Sequence, residues 1–218
     1  QLLLVGLVLQ ALFATVSLWL TALVALIMAL FAGREILSRQ ERRLKGWWGY
    51  GIGSATMLLA GMVVTVLALN GPLRPEPWYD PRYAIPLFGM ILGNAMTGIS
   101  LGLDGLTSLV GRERAAIEAQ LTLGATRWRA LRPIAQRALR TGFTPMLNSM
   151  AAAGVVFLPG MMTGQILSGV APEQAVKYQI LVLFLIAGAS GLGVLTAVLA
   201  SIWRLTDDRH RLRLDRLA

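Results

Sequence analysis

Few side chains in this sequence can do chemistry, and most of those sit in apolar surroundings. Thr97, Ser100 and Asp104 are spaced three and four residues apart, which puts them on one helical face. An ionisable residue inside a long apolar run points by default to a path for polar cargo; the competing reading is a solvated carboxylate near a helix end. Asn94 on the same run either lines such a path or ties two helices together, and Gln165 lies in a second interrupted stretch. Met90, Met96, Met146, Met150, Met161 and Met162 could offer thioethers. Thioethers suit soft Cu(I), whereas harder iron ions prefer oxygen and imidazole, and methionine is also a common core filler. No metal ligand set is assigned. His210 is the single histidine and stands in a basic tail. With no cysteine there is no thiolate site or disulfide. No Gly-x4-Gly-Lys-Ser/Thr run occurs, so ATP and its Mg would have to be held by another polypeptide. Neither a catalytic triad nor a paired-carboxylate site is evident, and no catalytic residue is assigned.

The elements that must position these groups are membrane helices. Hydrophobic residues make up 56% of the 218, charged residues 14%, and mean hydropathy is +0.63; soluble domains carry about 25% charge. At about 20 apolar residues per crossing, six spans are expected: a truncated one over about 1–14, then 17–33, 47–69, 84–110, 143–158 and 177–203. The chain opens at Gln1 inside an apolar run with no basic n-region, so it reads as a fragment with further sequence upstream rather than a signal peptide. One permease-sized domain, 1–218, is expected, all-α and polytopic. Trp47-Trp48 and Trp203 fit interfacial belts. The four prolines of the loop 71–81 predict a stiff cap rather than a helix.

Charge sets the orientation. All but Arg74, Arg82 and Lys177 of the 20 basic residues fall in three segments: Arg34 to Lys45, Arg112 to Arg140 and Arg204 to Arg216. Positive-inside logic places these in the cytoplasm of a multi-pass protein of the cell inner (plasma) membrane. The net charge of +9 is then explained by topology and anionic lipid headgroups, without nucleic acid.

The segment 111–141 is more than a connector. Arg112 to Leu123 has helical character, Gly124 can end it in a left-handed conformation, and Thr126 can cap a new helix over Ala125 to Leu131. Helix, glycine bend, helix makes a knob for a groove on a soluble partner; a lipid-lying amphipathic loop is the alternative. Trp128 would supply apolar area.

In the run 84–110, Gly89 and Gly93 fall on one face and Gly98 and Gly102 on the opposite one. Small residues let helices approach closely in lipid, so this helix is expected at the centre of the bundle. Pro159 and Gly160 predict a break, with Gly164 and Gly169 beyond it. A re-entrant turn over about 158–170 and an ordinary outer loop are both compatible with that pattern.

Glu118-Ala119-Gln120-Leu121-Thr122-Leu123-Gly124 resembles the EAA loop of ABC permeases, although the usual Ile-x-Leu-Pro ending is replaced by Arg132-Pro133-Ile134. Gly93-Asn94-Ala95-Met96, Leu123-Gly124-Ala125-Thr126, Leu158-Pro159-Gly160-Met161-Met162-Thr163-Gly164 and Ala175-Val176-Lys177-Tyr178-Gln179-Ile180, in this order, resemble the FetB (YbbM) family of permeases. That family is associated with bacterial iron export, and plant relatives with aluminium tolerance and UDP-glucose transport. The resemblance implies a homodimeric permease driven by a separate ATP-binding cassette subunit, with Glu118, Ala119, Leu123, Gly124, Ala125 and Trp128 meeting that subunit. A secondary transporter without an ATPase is the rival, though no clear inverted repeat is visible.

Overall fold

The structure is a computed structural model that describes residues 6, 9, 10, 12–207 and 211–217. The span expected at about 1–14 lies largely outside the described residues, as does His210. Four described helices are long and apolar enough to cross a membrane: α1 (Leu18–Ser38), α2 (Trp47–Ala68, prolonged by a π-helical turn, Leu69–Leu73), α3 (Pro81–Arg112) and α7 (Pro172–Leu205). Between α3 and α7 come α4 (Arg114–Thr122), α5 (Arg127–Ala152) and α6 (Gly160–Leu167). The protein is an all-α polytopic bundle.

Local signals place the ends of α3. The Asp80 carboxylate accepts from the Arg82 N–H at 2.9 Å, and Pro81, which has no N–H to satisfy, takes the first helical position. Its 32 residues reach about 48 Å at 1.5 Å each, beyond a hydrocarbon layer about 30 Å thick. The helix therefore projects past the membrane at one end and carries α4 there.

As its glycines predict, α3 is central: it packs on α1, α2, α5 and α7. Gly98 and Gly102 supply the closest approach. A Cβ built on Gly98 would lie 2.9 Å from the Gly142 carbonyl oxygen of α5, and one on Gly142 would lie 2.6 Å from Val194 Cγ1 of α7. Ala95, Ile99, Leu103 and Leu106 fill the core beside this crossing. The other face is less symmetrical than expected. Gly89 meets Met28 of α1, whereas Gly93 is exposed, with nothing within 4 Å of its Cβ position.

Three more expectations need correction. Residues 143–158 are not a separate span; they overlap the end of α5, which already begins at Arg127. Only 113–126 of the segment 111–141 therefore lies outside long helices. The reason is amphipathicity. Ala130, Leu131, Ile134, Ala138 and Gly142 form a buried stripe, while the arginines on the other side depress any hydropathy average. Second, the backbone break falls at Ala153-Gly154, where Gly154 has φ +82, rather than at Pro159-Gly160. Pro159 caps α6 and Gly160 is its first residue. Third, Gly71-Pro72-Leu73 continue α2 as a π-helical turn instead of belonging to a helix-free cap.

The three basic segments meet at one end of the bundle. The Glu41 N–H donates to Asp104 Oδ1 at 2.9 Å, Thr107 Oγ1 donates to the Arg42 carbonyl at 2.9 Å, and the Lys45 N–H donates to the Arg216 carbonyl at 2.8 Å. Leu212, Leu214 and Leu217 of the tail pack on the same core cluster as Ile117 and Leu131. Beside them Arg204 lies 4.5 Å from the Trp48 ring centroid, a cation–π contact suited to an interface.

Candidate functional site

The knob at the basic end follows from a few residues. Ile117, 2% exposed, pins α4 to the core, and Leu121 packs beside it. The helix stops at Thr122 because Gly124 turns left-handed, at φ +86, and its N–H donates to the Leu121 carbonyl at 3.1 Å. The Thr126 hydroxyl then accepts from the Arg129 N–H at 3.4 Å and opens α5. Ala119 and Gly124 are exposed, Glu118 and Ala125 half-buried, and Trp128 is 45% exposed. Leu123 is 87% exposed at the tip of the bend. A leucine held out by a rigid bend offers a plug for an apolar socket.

A fork of two hydrogen bonds joins this knob to the bundle. Arg137 Nη1 and Nη2 donate to Glu113 Oε1 and Oε2 at 2.7 and 2.6 Å. The Arg137 hydrogen bond is also the main reason the Glu113 carboxyl titrates below its ordinary 4.5. Planar bidentate pairing fixes direction as well as distance, so α4 cannot swing without tilting α5. Within α4, Arg114 holds Glu118 at 2.8 Å. Glu113 and Arg137 escaped the sequence reading, since residues 24 apart leave no periodic signal.

The residues singled out along α3 are spread apart. Asp104 is bound to the first basic segment through Glu41, at the projecting end. Ser100 is buried at 3% exposure and Thr97 is half-buried, its hydroxyl donating to the Gly93 carbonyl. Asn94 instead lines a small cavity with Met146 and Met150 of α5 and Gln179 of α7. Gln165 sits in α6, away from that cavity, with its Oε1 buried and unpartnered. Gly164 is exposed on α6, with open space where a side chain would stand. Among the described residues no group of three or more His, Asp or Glu could hold a metal.

The outward faces of the long helices differ. α1 exposes Trp19, Leu23, Leu26, Leu30 and Phe31, as a lipid contact requires. α5 exposes Arg132, Gln136, Arg140, Thr141, Thr144 and Asn148. Such a face suits water or another protein, not hydrocarbon.

Comparison with known proteins joins this architecture to a family. The model described as "Uncharacterised protein family (UPF0014)" matches residues 1–205. The chain belongs to UPF0014. Within UPF0014 it is 36% identical over 214 residues to "UPF0014 membrane protein slr1647" of Synechocystis, covering 97% of this chain and 80% of the relative. It is 32% identical over 212 residues to "Probable iron export permease protein FetB" of Escherichia coli, with the same coverage of 97% and 80%. It is 33% identical over 197 residues to "Protein ALUMINUM SENSITIVE 3" of Arabidopsis thaliana, covering 90% of this chain and 70% of the relative. No solved structure matches. The UPF0014 motifs fall in the knob, at the start of α6 and at the cavity wall, where Gln179 ends the Lys-Tyr-Gln run.

Proposed function

We propose that this chain is the permease subunit of an ATP-driven ABC exporter and that its cargo is iron. The observation that carries the reading is the knob 113–126, which shows an exposed Leu123 and is clamped to α5 by Glu113 and Arg137. In this mechanism a separate ATP-binding cassette subunit grips Leu123, Gly124 and Trp128 from the cytoplasmic side. The basic segments hold that side inward and rest on anionic headgroups. Closure of two such subunits around ATP pushes α4, and the fork passes the tilt to α5. Two permease protomers face each other through the polar side of α5, so that a water-filled cavity lies between them and opens to alternate sides. ATP and Mg remain on the partner, and this chain works as a lever and a wall, not as a catalyst. The relative named as a probable iron export permease supports iron as the cargo.

Reconstitution of the full chain with its co-purifying ATPase in liposomes tests this. ATP should drive iron away from the ATPase side. Gly124→Val should insert normally yet uncouple, because a β-branched residue resists the left-handed conformation. Cargo-stimulated ATP hydrolysis at the normal rate in that variant would count against the knob. Iron flux down its gradient without ATP would replace the exporter by a secondary transporter.

A further inference from the structure

The cavity beside Asn94 has a wall chemistry that the lever mechanism leaves unexplained. It lies in the outer half of the bundle, where α3, the end of α5 and the start of α7 converge, and it measures about 150 Å³. Phe157 and Pro159, from the segment between α5 and α6, border it. Three polar side chains line it: Asn94, Ser149 and Gln179. Gln179 is 8% exposed, and its Oε1 has no hydrogen-bond partner. A buried amide oxygen left unpaired is costly, and a rival apolar residue would fill the same space at no such cost. Its terminal torsion is soft, so the amide can turn either end to the cavity. Asn94 donates through Nδ2 to the Met90 carbonyl at 2.8 Å, which orients the amide and leaves Oδ1 as an acceptor. The remaining functional atoms are the thioethers of Met146 and Met150, one helical turn apart on α5.

Amide and hydroxyl oxygens with two thioethers are electron donors, and the cavity is lined by no cationic side chain. That favours a cation or its bound waters over an anion. Liquid water takes about 30 Å³ per molecule, so the space holds about five waters. A metal ion with part of its hydration shell fits, and a nucleotide sugar does not. Mixed oxygen and sulfur donors suit a first-row divalent transition metal better than Mg²⁺ or Ca²⁺. The absence of a carboxylate keeps binding weak, as a site on a conduction path requires, since the ion must also leave.

We propose that Asn94, Gln179, Met146 and Met150 form a transit site for a partly dehydrated divalent transition-metal ion, Fe²⁺ in the exporter. This rests on the exporter reading for the identity of the ion, whereas the donor chemistry stands without it. Asn94 and Gln179 replace water oxygens on opposite walls, and the two methionines discriminate against harder ions.

The test is anaerobic equilibrium dialysis of Fe²⁺ and Mg²⁺ against the purified full chain in lipid nanodiscs. Gln179→Leu should weaken Fe²⁺ binding by about tenfold or more, and Asn94→Asp at the open mouth should tighten it by a similar factor, the range typical when groups around a metal are altered. Met146→Leu with Met150→Leu should reduce the preference for Fe²⁺ over Mg²⁺. Thermal unfolding of each variant guards against misfolding; the gain in Asn94→Asp cannot come from loss of structure. Fe²⁺ binding unchanged in both Gln179→Leu and Asn94→Asp overturns the site, as does wild-type protein that retains no Fe²⁺ at all. ATP-driven iron flux in the reconstituted exporter separates the two readings. Normal flux in Gln179→Leu sinks the site and leaves the exporter standing, whereas metal retention by a wild type that moves no iron keeps the site and sinks the exporter.

Discussion

α1 and α5 have similar lengths, 21 and 26 residues, and both pack a small-residue stripe on their neighbours, yet they turn opposite chemistry outward. α1 shows Trp19, Leu23 and Phe31; α5 shows Gln136, Arg140, Thr144 and Asn148. Hydrocarbon offers no hydrogen bonds, so the first surface belongs to lipid and the second to water or protein. The same contrast separates support from mechanism. α1 carries none of the candidate groups, whereas α5 carries one wall of the cavity and one arm of the Glu113–Arg137 fork.

The sharpest way to break the contrast is to exchange the faces. Leu23→Lys on α1 should impair membrane insertion by roughly 2.5–3.5 kcal/mol if it sits near the membrane centre, while Thr144→Lys on α5 should cost little. A glycosylation-tag insertion assay reads both, and equal penalties would put α5 against lipid. Packing gives the next effect. Gly142→Leu must push into Val194 and the Gly98 carbonyl, an overpacking that typically costs about 1–3 kcal/mol; Gly93→Leu meets open space and should leave the thermal unfolding midpoint in nanodiscs close to wild type.

Smaller is the loss of the fork. Glu113→Gln or Arg137→Gln should change stability by no more than about 1 kcal/mol, because the pair is exposed. Either should reduce the stimulation of ATP hydrolysis by cargo by about five- to 150-fold, the usual span of site-to-site coupling. A double variant no worse than either single one would place both residues in one linkage. The smallest effect is in titration. The Glu113 carboxyl is held below 4.5 by Arg137, so its contribution is present above that pH and is lost as the pH falls through the lower, folded value. Carbon-13 NMR of Glu113 should show the depressed titration returning toward 4.5 in Arg137→Gln.

Much of the knob was legible because its determinants are local. Glycine after an amphipathic turn, then threonine two residues on, predicts a bend and a cap, and Gly124 and Thr126 adopt those geometries. The four apolar spans were legible for the same reason, to within a few residues at most ends. α5 was misread because averaging hydropathy discards direction, and its buried stripe of Ala130, Ile134 and Ala138 is hidden among arginines. Asp104 was legible as a special carboxylate, but its tie to the Glu41 N–H could not be, since that bond joins segments 63 residues apart.

By composition and charge order alone, the sequence determined a helical membrane protein with its basic segments gathered at one end. Solvent transfer acts on each residue separately, and so the order of residues is enough to express it. Packing decided the rest: which glycines of α3 touch a neighbour, that Glu113 meets Arg137, and that Asn94, Met146 and Gln179 share one small cavity. Those contacts depend on how far each helix is rotated and slid against the next, and only the assembled bundle sets that register.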